Sequence, residues 1–288
     1  MLLLLCIVIN ALIGVVFKLY NKYDVQTLPA IVVNYYVCVT TSMVVTGRAT
    51  INADTLGQPY LVYAMLLGLT FILVFDVVAR TVGSFGIVVA SVFQKMSLIA
   101  PTVVAIVWFS EGLTVIKGAG IIAALLSILL ITEITKVGVK GSHSWRDWTL
   151  PILTLIGSSI IDVGLFLVQA KGIADGGDIG FVATLFGTAA LMGTLLLTVK
   201  IIKGDNTIGI KEVIGGIVLG VPNFFSIYLL LLLLSKGWDG SAIFPINNVG
   251  ILAMSAIFGF VLFKEKITAG KVLGVLVSII AIGLIAYG

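Results

Sequence analysis

The sequence predicts an all-α integral membrane protein of ten transmembrane helices, built as two inverted five-helix repeats. Three observations carry this. Of 288 residues, 60% are hydrophobic and only 10% are charged, where a soluble domain carries about 25%. The apolar residues run in long, unalternating blocks, and a helix needs about 20 such residues to cross roughly 30 Å of hydrocarbon. A short polar motif also recurs, once in each half of the chain.

The composition excludes several classes. Too few polar side chains are present to wrap a soluble core, which argues against a cytosolic enzyme or a secreted disulfide scaffold. The net charge is +4, but the basic residues are scattered singly. They form no stripe of the kind that follows a phosphate backbone, so no nucleic-acid partner is expected. Cys6 and Cys38 lie in apolar runs and read as two buried thiols. His143 stands alone in a polar loop, where a solvated side chain is expected. No metal set and no cofactor motif is present.

The spans are expected at about 2–19, 28–47, 59–79, 84–109, 115–134, 149–170, 179–199, 210–235, 241–263 and 270–287. Unalternating runs are helices, because only helices and closed barrels satisfy the backbone in lipid. The first run has no basic n-region and no clear cleavage site, so it reads as an uncleaved span. The connections are short. The most polar, from Thr135 to Trp148, separates spans five and six and reads as the joint between repeats 1–140 and 141–288 of one integrated membrane domain.

Residues 109–120 read FSEGLTVIKGAG and residues 263–274 read FKEKITAGKVLG, an offset of 154. Phe109, Glu111, Thr114, Lys117 and Gly120 match Phe263, Glu265, Thr268, Lys271 and Gly274. Charged residues are rare here, so chance is a poor source of the match. Both copies fall in a short turn between spans. Five spans per half is an odd number, so the second half enters the membrane upside down. Such an inverted repeat has two related packings, one open to each side, around a midplane site. This is the architecture of alternating-access carriers.

With ten spans, five-span halves and an acidic turn followed by Thr and Gly after spans four and nine, the sequence resembles the drug/metabolite transporter superfamily, and within it the EamA-type carriers. The resemblance covers nearly the whole chain. It implies the drug/metabolite transporter fold and a carrier for small metabolites, without selecting a substrate. Glu111, Thr114, Glu265 and Thr268 match the family's turn, where the resemblance implies a structural role at a helix junction.

Charges in hydrocarbon cost about 2.5–3.5 kcal/mol on insertion scales, so mid-span polar residues are the informative ones. Lys95 lies near the centre of span four. Ser91, Gln94, Lys95 and Thr102 fall on one face of a continuous helix. Lys95 is read as a cavity lysine for a carboxylate or phosphate; the alternatives are a structural pair or a snorkelling side chain. The repeat aligns Phe93, Gln94 and Lys95 with Asn247, Asn248 and Val249. Span nine thus offers paired amides, and Pro245 loosens the helix beside them. Interhelical hydrogen bonding is the plainer role for Asn247 and Asn248. Asp162, on a face of span six with Ser158 and Gln169, is a proton carrier or the ion-pair partner of Lys95. Asn223, Asn34 and Asn10 are further substrate-site candidates. Gly216 and Gly220 near Asn223 read as close helix packing. Asp76 and Arg80, four apart, read as a local pair.

No H-E-x-x-H, G-x-S-x-G or Walker lysine motif occurs, so no enzyme is expected. Gly176, Gly177 and Asp178 have the glycine-aspartate of intramembrane aspartyl proteases, but at a loop edge and without a second aspartate motif. Lacking a nucleotide motif, transport runs on a substrate gradient, exchange or ion coupling. Lys and Arg divide twelve to four between alternate sides, with Lys95 buried. The positive-inside rule then puts both termini outside the cytoplasm, whereas the family resemblance puts them inside.

The reading is a multi-pass carrier of small polar solutes, anions among the candidates, by alternating access. Its site surrounds Lys95 and Asn247/Asn248. It is a monomer or homodimer among membrane lipids, and its minimal loops suggest a bacterial inner membrane. An exporter or flippase of lipophilic compounds is the first rival, disfavoured by Lys95 and the amides. An intramembrane enzyme is the second, for which no nucleophile or metal set is found.

Overall fold

The computed structural model describes residues 1–133, 148–265 and 268–288. The polar connection before Trp148, His143 within it and the repeat boundary at 140/141 lie outside the described residues. So do Lys266 and Ile267 of the second turn motif. Among the described residues, ten helical segments are long and apolar enough to cross a membrane.

In chain order these are α1 (Leu2–Tyr23), α2 (Thr27–Thr46), α3 (Leu61–Phe85), then α4 (Ile87–Lys95) and α5 (Ile99–Phe109), which share one span. They continue with α6 (Val115–Thr132), α7 (Thr149–Ala170), α8 (Ile179–Ile202), α9 (Ile210–Ser235), α10 (Gly240–Phe263) and α11 (Ala269–Tyr287). Helix α3 runs six residues past the apolar run that predicts it. Within it Asp76 and Arg80 pair at 2.6 Å along one face, as their spacing suggests. The fourth span is broken by a 3-10 turn, Met96–Leu98. Its cause is Pro101: without an N–H, it cannot bond the Ser97 carbonyl four residues back.

Helix ends obey local chemistry. Asp178 caps α8, accepting from Gly180 N at 2.7 Å and Phe181 N at 3.2 Å. The glycine-aspartate therefore serves as a cap. Thr114 and Thr268 cap α6 and α11 by accepting from Lys117 N and Lys271 N. Ser110 and Lys264 end α5 and α10 in the left-handed region, at φ 55 and 53. Glu111 N and Glu265 N then each bond a carbonyl six residues back, Ala105 O and Gly259 O, both at 3.2 Å. All these pairs stand at the repeat offset.

The chain forms two compact units, and each draws on both halves of the sequence. One comprises residues 1–73 and 167–236, the other 74–166 and 237–288. In the first, α9 packs on α1 and α2, and α2 packs on α8. Gly216 and Gly220 let α9 approach α2: a Cβ at Gly216 would stand 2.6 Å from Ala30 O, and one at Gly220 2.9 Å from Asn34 O. The small residues thus serve packing, as the sequence suggests. Phe181, Phe186 and Phe224 fill the core of this unit.

In the second unit, α6 and α11 form the most extensive pair, and α10 lies against α5, α6 and α11. The α6–α11 contact is reciprocal. A Cβ at Gly120 would meet Ile285 Cγ1 at 2.7 Å, and one at Gly274 would meet Ile131 Cγ1 at 2.6 Å. Both residues of the second contact are the repeat partners of those in the first.

Candidate functional site

Lys95 ends α4, immediately before the 3-10 turn. Its ammonium donates to Asn248 Oδ1 of α10 at 3.2 Å. The amide is held in turn, since Asn248 Nδ2 donates to Phe244 O at 3.1 Å. That bond fixes which end of the amide faces the lysine. Pro245 lies in the same turn and leaves the Ser241 carbonyl without its helical donor. Asn248 is buried and Lys95 half-buried, with its ammonium turned inward onto the amide. Asn247 is also buried, but one residue earlier on α10 and so about 100° round the helix.

Asp162, half-buried on α7, joins the same cluster. Its Oδ2 lies 2.6 Å from Ser97 Oγ, and Ser97 Oγ is also 2.7 Å from Gln94 O. The carboxyl acts electrostatically on Lys95. Lys95, Asn248, Ser97 and Asp162 thus form one polar group inside the second unit, supplied by three spans. It combines one cation, one acid and one oriented amide. Such a set can bind an anion at the ammonium and hold a counter-charge or a proton at the carboxyl.

The predicted face of span four divides at the 3-10 turn. Three residues at 120° each, rather than 100°, rotate the faces of α5 by about 60° relative to those of α4. Gln94 is exposed, whereas Thr102 is buried and donates back to Leu98 O at 2.7 Å. Ser97 is the member that sequence reasoning missed. Its signal was Pro101, which marks where the ladder breaks and turns Ser97 toward α7.

The asparagines of the first unit form a separate group. Asn34 of α2 is fully buried. It accepts from Asn223 Nδ2 of α9 at 3.2 Å and donates to Ile31 O at 3.4 Å. Cys38 packs its thiol 3.3 Å from Gly220 O. Asn10 donates to Cys6 O at 2.9 Å, and Cys6 lies near Ser226 O of α9. Cys6 and Cys38 are buried thiols, as expected.

The turn motif is built into helix ends. Glu111 accepts from Gly240 N and Ser241 N, both at 2.8 Å, and from Ser241 Oγ at 2.6 Å. It therefore neutralises the N-terminus of α10, whose backbone donors have no helical partner. Lys117 is buried and pairs with Asp239 at 3.1 Å. In the second copy, Lys271 pairs with Glu265 at 3.2 Å, and Thr268 donates to Glu133 Oε1 at 2.7 Å. Among the described residues, no group of His, Cys, Asp and Glu could hold a metal ion.

No family model matches the chain. A Haemophilus influenzae protein, described only as uncharacterized, is 28% identical over 99% of this chain and 97% of its own length. A solved structure described only as the crystal structure of a protein aligns with a TM-score of 0.76, covering 99% of this chain and 98% of that one. At 10% identity, that likeness concerns the fold alone. Among the described residues the regular structure is all helical, and the ten apolar helices mark a multi-pass membrane protein.

Proposed function

We propose that the protein is a secondary carrier of small anionic metabolites, working by alternating access in the drug/metabolite transporter fold. The observation that carries this is the mid-span Lys95 ammonium, oriented by Asn248 and balanced by Asp162. An ammonium at that depth needs water, an anion or polar neighbours. When loaded, the substrate anion neutralises it; when empty, Asn248 solvates it and Asp162 neutralises it once its proton has left.

Three features support the inverted repeat behind this reading. The turn motifs share their backbone bonds, the α6–α11 contact is reciprocal, and each compact unit takes spans from both halves. The relative in Haemophilus influenzae, together with the helical spans, supports a bacterial inner membrane. A lipophilic substrate would gain nothing from a charged group whose insertion costs about 2.5–3.5 kcal/mol.

The test begins with purified protein and a thermal-shift screen of carboxylates and phosphate esters, since a ligand that binds only the folded state raises Tm. Uptake of the hit into proteoliposomes then compares variants. Lys95→Met is expected to cut uptake at least tenfold with Tm little changed. Lys95→Arg should rescue poorly, because a guanidinium is broader and binds as a planar fork. Normal uptake by Lys95→Met would remove the proposed site.

A further inference from the structure

The oxygens around Asp162 count their own protons. Ser97 Oγ is 2.7 Å from Gln94 O and 2.6 Å from Asp162 Oδ2. A carbonyl only accepts, and a hydroxyl brings one proton. If Asp162 is a carboxylate, the Ser97 proton can be aimed well at only one of its two neighbours. If Asp162 is a carboxylic acid, both contacts close: Asp162 donates to Ser97, and Ser97 donates to Gln94 O.

A second observation lies one turn before Asp162 on the same face of α7. Ser158 is only 6% exposed, and its Oγ has no hydrogen-bond partner. One turn earlier again, Thr154 is fully buried and lies 2.9 Å from Thr81 Oγ1 of α3. Thr81 also lies 2.9 Å from Val77 O. Residues 154, 158 and 162 are spaced i, i+4, i+8, so their side chains stack about 5–6 Å apart along one face. A gap of that length is too long for a direct hydroxyl-to-hydroxyl bond, so a proton crosses it through a single water that enters between these buried groups. Toward the other end of α7 the chemistry changes. Phe166, one turn beyond Asp162, packs on Phe109 and Phe244 with ring centroids at 5.1 and 6.2 Å. Phenyl rings offer a proton no carrier.

We propose that Asp162 binds and releases a proton, which travels along the Ser158–Thr154 face from the N-terminal end of α7. This names the coupling ion of the carrier proposed above and rests on that reading for its use. Proton occupancy itself can be measured without substrate. On release, the proton passes from the Asp162 carboxyl to a water beside Ser158. The carboxylate left behind accepts from Ser97 and faces the Lys95 ammonium. Lys95 is the charged side chain that acts on Asp162. On α3, Asp76 and Arg80 pair with each other. Neither α5 nor α10 carries a charged side chain within its span.

The test is infrared spectroscopy of the full-length protein in lipid, tracking the C=O stretch of a protonated carboxyl. Wild type is expected to show a band at neutral pH that Asp162→Asn lacks and that Asp162→Glu shifts. Identical bands in wild type and both variants would overturn the proposal. The route is tested by stepping the pH and timing the band. Ser158→Ala and Thr154→Val should slow its change at least fivefold, whereas Ser158→Thr, which keeps the hydroxyl, should stay within twofold. If Ser158→Ala responds at the wild-type rate, the route is wrong. The transport reading is judged separately by Lys95→Met, so the two can fail independently.

Discussion

In one unit, Asn34 and Asn223 join α2 to α9 through neutral amides. In the other, Lys95, Asn248, Ser97 and Asp162 join three spans through charges. Both clusters lie within apolar helices, yet their energetics oppose. The amide pair has its acceptor and donor satisfied inside the protein, so it adds stability, roughly 0.6–2 kcal/mol per bond. The charged group costs insertion energy and leaves Lys95 only half-buried. On the proposed reading, the charged group is kept for binding and the amide pair for packing.

The comparison breaks if the two clusters respond alike to mutation. The largest expected contrast pairs Lys95→Met with Asn34→Ala. The first should lose at least tenfold in transport and little stability. The second strips the acceptor from Asn223 and leaves a buried gap, costing about 2 kcal/mol. Its transport rate per folded molecule should stay within twofold. Uptake in proteoliposomes and thermal unfolding in detergent measure the two quantities. If Asn34→Ala abolished transport at unchanged Tm, the amide pair would belong to the substrate site.

A nearly equal effect on stability is expected at Glu111. Its carboxylate satisfies two backbone donors and one hydroxyl at the start of α10. Glu111→Ala leaves those donors without their acceptor and is expected to cost about 2–3 kcal/mol, and Glu111→Gln about half of that. Transport should fall only as the folded fraction does. A Gln variant as active and as stable as wild type would show that the amide oxygen alone suffices.

Much of this was legible in the sequence, for reasons that differ by residue. Span number and rough position come from run length, because lipid accepts little else. The turn repeat was legible because Glu111, Thr114 and Lys117 stand out against an apolar background. The juxtaposition of Lys95 with Asn248 was suggested by the repeat offset, which set both near mid-span. Ser97 was not legible, since a serine in an apolar run usually bonds its own helix. Its role depends on a 3-10 turn that only Pro101 signals. Nor was the division into two units legible. Contacts, not chain order, define them, so the boundary crosses α3 and α7 rather than falling between halves.

The smallest expected effect sharpens the comparison between the repeat copies. Thr114 and Thr268 each cap a helix, and each makes a second bond from the same hydroxyl. Thr114 donates to Gly288 O at 2.9 Å, and Thr268 to Glu133 Oε1 at 2.7 Å. The hydroxyls therefore sit at opposite ends of the α6–α11 pair and do equivalent work. Losing an N-cap costs about 0.5–2 kcal/mol. Thr114→Ala should fall near the lower end, because its second acceptor is a neutral carbonyl. Thr268→Ala should cost more, because its acceptor is a carboxylate, and bonds to charged groups are worth about 1.5–3 kcal/mol. The two sites share no partner and lie far apart along the helices, so the double variant should be additive within about 0.5 kcal/mol. A clearly larger coupling would mean that α6 and α11 respond as one body. Equal single losses would mean that the Glu133 contact contributes nothing beyond the cap.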